Sequence, residues 1–216
     1  MRITRSQLKN IIAEQMGLLN EVKKLDCYSE SEVDAACKRA VVLLGFGGET
    51  LVLFLKEIAV KESGRSRSGL SQGDKGFKID CFLKEQDGGG QGIGPWQIEA
   101  ATFEFLKKNW KLENIRKTIK TKAGKGLVNP LSSQSISTFT NTLSIQAVMV
   151  ALKMIDKMNP MSTAQSQDKK NNQATTFDVP TSREGRADLW KTHYNTSSGK
   201  GTKQGYIDIN EANDTK

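Results

Sequence analysis

The chain has 216 residues and a formal net charge of +8, from 32 lysines and arginines against 24 aspartates and glutamates. Its mean hydropathy of −0.49 and 37% hydrophobic residues describe one water-facing domain with appendages and a real core, and no run approaches the ~18–20 apolar residues of a membrane span. Cys27, Cys37 and Cys81 lack metal-ligand spacing, the single histidine His193 has no nucleophile signature beside it, and no phosphate-binding loop occurs, so no metal or cofactor is expected.

Residues 1–28 open with Ile3, Leu8, Ile11, Ile12, Met16, Leu19 and Val22 at helical spacing, and Arg2, Arg5 and Lys9 give the amphipathic pattern a basic start. Polar residues interrupt any secretory h-region. The segment reads as a docking helix for a partner, as a membrane-surface helix, or as a helix packed on its own domain. A scaffold helix follows from Ser29, where Ser29-x-x-Glu32 forms a capping box and Val33, Ala36, Cys37, Ala40, Val41 and Leu44 form the apolar face. Gly45, Gly47 and Gly48 end it.

Residues 49–62 form the helix around which the rest is organised. Leu51, Leu55, Ile58 and Glu62 share one face, and Val52, Phe54, Ala59 and Val60 fill much of the remainder, predicting burial nearly all round. Glu62 continues the apolar stripe at the negative end of the helix dipole, so burial and dipole both push its pKa upward. A carboxyl group that keeps its proton near neutral pH is what a general acid requires. A Glu near a helix end that simply reaches water is the plainer alternative. Gly64 reads as the C-terminal cap.

Residues 64–91 are glycine-rich without a long apolar run, with Phe77, Ile79, Phe82 and Leu83 as candidate strand residues and Asp74, Asp80 and Asp87 as carboxylates of interest. Gly92-Ile93-Gly94-Pro95-Trp96-Gln97-Ile98 then reads as a tight turn opening a second helix: the glycines permit close backbone approach, and Pro95 suits a first helical turn. Trp96 offers a stacking surface and Gln97 an amide that donates and accepts. A helix over residues 100–110 points Phe103, Leu106 and Trp110 inward. Residues 111–125 are strongly basic, either a solvated face or an attraction to an anionic polymer.

Residues 142–158 predict an amphipathic helix with Ile145, Val148, Met149, Leu152 and Ile155 on one side. Residues 159–182 are polar and nearly featureless, the composition of an inserted flexible segment. Thr181-x-x-Glu184 offers a capping box for a last helix carrying Leu189, Trp190 and Tyr194. The stretch 201–216 reads as a polar tail anchored by Tyr206, Ile207 and Ile209.

Three pieces together, in this order, carry a resemblance: Lys61-Glu62-Ser63-Gly64, the turn Gly92 to Ile98, and Tyr194-Asn195 followed by Gly199. The pattern over residues 45–200 resembles the lysozyme-like superfamily, in its lytic transglycosylase and goose-type lysozyme branch. The resemblance implies a mainly α, α+β fold over 29–200 with a small β lobe forming one wall of a cleft. It implies cleavage of the β-1,4 bond between N-acetylmuramic acid and N-acetylglucosamine in peptidoglycan. Glu62 would be the acid and base. Gln97, with the backbone at Ile93 and Gly94, would hold the sugar, beside Trp96. Tyr194 would orient the Glu62 carboxyl group, Asn195 would brace the cleft, and Ser63 would support the loop. Asp74, Asp80 and Asp87 are the places to look for a water-positioning carboxylate, which hydrolysis needs and anhydro-forming transglycosylation does not.

A wall-degrading chain without a secretory signal is expected in a phage setting: in the virion, or in the host cytoplasm before release to the periplasmic wall. Residues 1–28 and 159–182 are then the segments to dock on other virion proteins. The positive charge also fits a nucleic-acid binder, yet no recognisable nucleic-acid motif accompanies it. An inactive structural protein that keeps the fold is a third class.

Overall fold

The computed structural model describes residues 27–65, 79, 81–84, 92–108, 141–158, 178–195 and 201–214. The described part is mainly helical with a small sheet. In chain order it comprises β1 (Cys27–Tyr28), α1 (Glu30–Leu44), α2 (Gly48–Ser63), β2 (Gly64–Arg65), β3 (Cys81–Leu83), β4 (Gly92–Ile93), β5 (Ile98–Glu99), α3 (Ala100–Lys108), α4 (Leu143–Met158), α5 (Arg183–Leu189), a π-helical turn (Trp190–Asn195) and α6 (Lys203–Asp214). The segments 1–26, 109–140 and 159–177, and with them Trp110, the basic stretch and the expected N-terminal helix, lie outside the described residues.

Helix α1 begins as its sequence dictates. Ser29 is the N-cap, its Oγ accepts from the Glu32 N–H at 3.3 Å, and Glu32 Oε2 accepts from the Ser29 N–H at 2.8 Å. Gly45 stops it in the left-handed region at φ 78, where a Cβ is unfavourable. Helix α2 is enclosed on most sides: Leu51, Phe54, Leu55, Ile58 and Ala59 are fully buried. Gly64 caps its end as expected, its N–H donating to the Val60 carbonyl, and it is extended (φ −59, ψ 130) because the chain passes straight into β2. Glycine is required there for space, since a Cβ would lie 2.4 Å from Ile79 Cδ1 and 2.7 Å from the Val60 carbonyl.

The small sheet is antiparallel in the order β1-β3-β2, with Cys27 opposite Leu83 and Gly64 opposite Phe82. Phe82 and Leu83 supply a strand as expected, and Ile79 is buried, while Phe77 lies outside the described residues. Strand β1 falls at the end of the stretch read as an N-terminal docking segment, so that end is part of the fold.

Helix α4 is the centre of the core. The sequence predicts a one-sided stripe, but the helix is buried from Ile145 through Leu152 and again at Met154 and Ile155. Helices α1, α2, α3 and the π-helical turn all pack against it, which is why its second face also needs to be apolar. The stretch read as a polar tail forms α6, which packs on α5 and α2 with Tyr206 and Ile209 buried. The cap of α5 also shifts by one residue: Ser182, not Thr181, accepts from the Gly185 N–H at 3.1 Å. No helix among the described residues is long and apolar enough to cross a membrane.

What fastens α5 and α6 to α2 is a buried carboxylate, Glu57. Arg186 grips it in a fork, Nε to Oε2 at 2.6 Å and Nη2 to Oε1 at 2.8 Å. The Tyr206 hydroxyl donates to Oε2 at 3.0 Å and Arg183 Nε to Oε1 at 3.2 Å. Asn210 Nδ2 reaches the Glu57 carbonyl at 3.4 Å. With both side chains only 4% exposed, removing Arg186 leaves the buried carboxylate without its fork, held among the described residues only by Arg183 and the Tyr206 hydroxyl. Arg186→Ala is therefore expected to lower the unfolding free energy by about 3–5 kcal/mol, measured by urea denaturation with an unchanged m-value.

Candidate active site

The carboxyl group of Glu62 is brought to the last turn of α2 by the buried stripe Leu51, Leu55, Ile58. It is half-buried, and the Trp190 indole N–H donates to its Oε1 at 2.8 Å. Burial holds its pKa above the ordinary carboxylate range. The Trp190 hydrogen bond, Lys153 and Lys61 pull in the other direction without prevailing.

Trp190 comes from the π-helical turn, whose wider winding turns both Trp190 and Tyr194 inward. Such turns are rare and concentrate at functional sites. The Trp190 ring lies against Tyr206 at a centroid distance of 5.1 Å, and Tyr206 in turn donates to Glu57. Close packing beneath it depends on Gly201, where a Cβ would come within 2.5 Å of the Trp190 ring and of Asn195 Nδ2. Asn195 Nδ2 donates to the Gly201 carbonyl at 3.2 Å, tying the end of the π-helical turn to the residues that lead into α6. Gly199, the glycine of the sequence signature, lies outside the described residues.

Tyr194 does not orient Glu62 by a hydrogen bond. Its hydroxyl donates to the carbonyl of Trp96, so it ties the π-helical turn to the Gly94–Gln97 turn. It remains close enough to Glu62 that, after burial, the carboxylate is the next cause of its raised pKa. The role expected of Tyr194 falls to Trp190, which sequence reasoning placed on the last helix without a part in the site.

The stretch from Gly92 to Ile98 is a β-hairpin rather than the opening of a helix. Gly92 pairs with Glu99 and Ile93 with Ile98, and α3 starts only at Ala100. The turn is built by Gly94 at φ 69 and Gln97 at φ 49. Gly94 donates its N–H to the Lys84 carbonyl at 2.7 Å, and a Cβ on it would lie 1.8 Å from Gln146 Oε1. Only glycine fits.

Two residues expected to hold a sugar are turned to structural use. Trp96 is 0% exposed and its indole N–H donates to the Leu55 carbonyl at 2.8 Å, so no ring face is open for stacking. An indole wedged against α2 removes more apolar surface from water than one on the rim, and its N–H finds a partner there. Gln97 Nε2 donates to the Gly94 carbonyl at 2.7 Å, and its Oε1 is buried with no partner among the described residues. The Gln97 amide therefore shapes the turn. Ser63 is buried with its Oγ on the Ala59 carbonyl at 3.4 Å, consistent with a supporting part. Ile93 is half-buried in β4. Asp74, Asp80 and Asp87 lie outside the described residues.

Two cations flank Glu62. Lys61 Nζ donates to the Gly205 carbonyl of α6 at 3.0 Å. Lys153 of α4 places its ammonium 3.9 Å from the Tyr194 ring centroid. Burial lowers the pKa of both, and Glu62 opposes that shift in each case. Lys153 is the second site residue sequence reasoning missed; the signal was a lysine between Leu152 and Met154 in an otherwise apolar helix. Among the described residues no cluster of three or more His, Cys, Asp or Glu could hold a metal ion. All three cysteines are free thiols, and burial pushes the Cys37 thiol up, making it inert.

Because the folded-state pKa of Glu62 is raised, its contribution to stability is complete below the unfolded carboxylate pKa and is lost as pH rises through the folded one. Glu62→Gln keeps an oxygen for the Trp190 indole and is expected to melt higher than wild type at pH 7–8, the gap closing by about pH 4. Differential scanning calorimetry across that range checks it. Tyr194→Phe strands the buried Trp96 carbonyl and is expected to cost about 1–3 kcal/mol, read from the shift of the urea midpoint.

Comparison of the chain with protein-family models, with curated proteins and with solved structures returns no match, so the case for a function rests on the residues themselves.

Proposed function

We propose that this protein is a peptidoglycan-cleaving enzyme of lysozyme-like architecture, with Glu62 as the general acid and base of a lytic transglycosylase. The observation that carries the reading is the setting of Glu62: a half-buried carboxyl group at the end of α2, held by the Trp190 indole, with burial keeping its pKa high. A second support is convergence. The three sequence pieces of the resemblance are far apart in the chain, yet Tyr194 is hydrogen-bonded to the Gly94–Gln97 turn and lies close to Glu62.

The chemistry follows from that arrangement. Protonated Glu62 gives its proton to the glycosidic oxygen as oxocarbenium-like charge develops on the sugar. The acetamido group of the sugar itself stabilises that charge. Glu62, now ionised, takes a proton from the C6 hydroxyl, closing a 1,6-anhydro ring, or from water. The indole N–H of Trp190 stays with the carboxyl group throughout and stabilises its ionised form between the two steps. Lys61 and Lys153 favour the same ionised form.

The sequence resemblance assigned Trp96 and Gln97 to the sugar; with Trp96 buried and the Gln97 amide held in the turn, sugar contact in this reading comes from the half-buried Ile93 and from Glu62 itself. The experiment is digestion of purified peptidoglycan by wild type and Glu62→Gln, with products identified by mass spectrometry. Anhydro-muropeptides from wild type are expected, with a rate loss of roughly 100- to 10,000-fold in the variant. Reducing-end products would instead make it a lysozyme-type hydrolase, and no products from wild type on several wall chemistries would sink the enzyme reading.

A further inference from the structure

Lys153 stands out among the charged groups of the site. It sits between two buried residues, Leu152 and Met154, on the most enclosed helix of the fold, and is itself half-buried. Its ammonium faces the Tyr194 ring at 3.9 Å from the centroid. Among the described residues it has neither a hydrogen-bond acceptor nor an ion-pair partner. Lys61, the other cation beside Glu62, donates to the Gly205 carbonyl, and Lys157, one turn further along α4, adds a like charge that weakens the hold of Lys153 on its proton.

A partly desolvated ammonium whose donors meet no acceptor among the described residues is unfavourable unless something compensates. The ring face of Tyr194 compensates in part. Glu62 also attracts it, and Glu99 more weakly, but neither carboxylate comes into contact. A cation kept in that condition beside a candidate acid suits an anion that arrives from outside, and a carboxylate matches it in charge and in acceptor number.

We propose that Lys153 is a specificity-determining residue that receives a carboxylate carried by the glycan, next to the bond on which Glu62 acts. This rests on the reading of Glu62 as a glycosidic acid. The ligand class is a saccharide strand bearing carboxylates, in preference to a neutral amino-sugar polymer. The carboxylate belongs either to the sugar's own lactyl ether or to a peptide attached there.

Binding of that carboxylate also acts on the acid. Among the described residues the charged and titratable groups facing Glu62 are Lys61 from its own helix, Lys153 from α4 and Tyr194 from the π-helical turn, with Asp208 of α6 acting on Lys61 and Lys157 of α4 and Glu99 of β5 acting on Lys153. Neutralising Lys153 removes one attraction for the ionised form of Glu62 and brings a negative charge near it. Both changes favour the protonated carboxyl group, so the anionic strand loads the acid that cleaves it.

The test compares three substrates for wild type, Lys153→Met and Lys153→Arg: a neutral chitin oligosaccharide, an N-acetylmuramic acid-containing strand with free lactyl carboxylates, and the same strand with peptide stems. Wild type is expected to prefer a carboxylate-bearing strand by roughly 10- to 100-fold in kcat/KM, the span of a charge-assisted hydrogen bond. Lys153→Met brings that ratio toward one, and Lys153→Arg keeps part of it. The strand that gains the preference identifies the lactyl or the peptide carboxylate as the source. Wild-type pH profiles are expected to place the basic limb of kcat above that of kcat/KM, with the two limbs converging in Lys153→Met. Should Lys153→Met not fold, wild type on a strand whose carboxylates are reduced to alcohols reads the same preference, which should vanish. An unchanged ratio in Lys153→Met, or in the reduced strand, overturns the role of Lys153 and leaves the Glu62 reading standing. Wild type inactive on every glycan removes both.

Discussion

The buried Glu57 carboxylate is the constraint on which the rest of the structure depends. It lies five residues before Glu62 on α2; Arg183, Arg186 and Tyr206 converge on it from α5 and α6, and Asn210 reaches the backbone carbonyl of the same residue. A buried ion pair of this kind stabilises little by itself, since desolvation offsets most of the attraction, but it penalises any packing that leaves one partner alone. It therefore acts as a registry device. With α5 and α6 seated on α2, Tyr206 lies against Trp190, and the Trp190 indole meets Glu62. The position of the candidate acid is set by a second glutamate on the same helix.

Around Glu62 the structure balances opposing electrostatic effects. Burial favours the neutral carboxyl group, while the indole hydrogen bond and two lysines favour the carboxylate. A group held so is responsive: a change in one neighbouring charge moves its protonation. Proteins avoid this at purely structural carboxylates, where partners are made complete, as at Glu57. The contrast between a saturated Glu57 and a Glu62 that has one hydrogen bond among the described residues distinguishes the structural carboxylate from the candidate functional one.

The aromatic residues divide in the same way. Trp96 fills the core and fixes the hairpin to α2, Tyr194 fixes the π-helical turn to the hairpin, and Trp190 alone reaches the acid. The turn expected to bind substrate is thereby a structural joint. Gly94 and Gly92 are needed because Gln146 and Gln97 press on their backbone.

Much of this was legible in the chain. The capping box at Ser29, the buried stripe of α2, the anomalous Glu62, the strand at Phe82 and Leu83 and the inward Phe103 and Leu106 all follow from local chemistry and periodicity. Such features depend on residues a few positions apart, which sequence alone displays. The hairpin at Gly92–Glu99, the second buried face of α4 and the helix in residues 203–214 did not follow, because each depends on a partner distant in the chain. The same holds for the site. That a carboxyl group continues the apolar stripe near the end of α2 was determined by the sequence, which left open whether it is buried or reaches water. That Trp190 rather than Tyr194 holds it, that Trp96 turns inward, and that Lys153 stands beside it were decided only when α4 and the π-helical turn packed against α2. Hydrogen-bond partners are chosen by distance in space, and distance along the chain does not encode it.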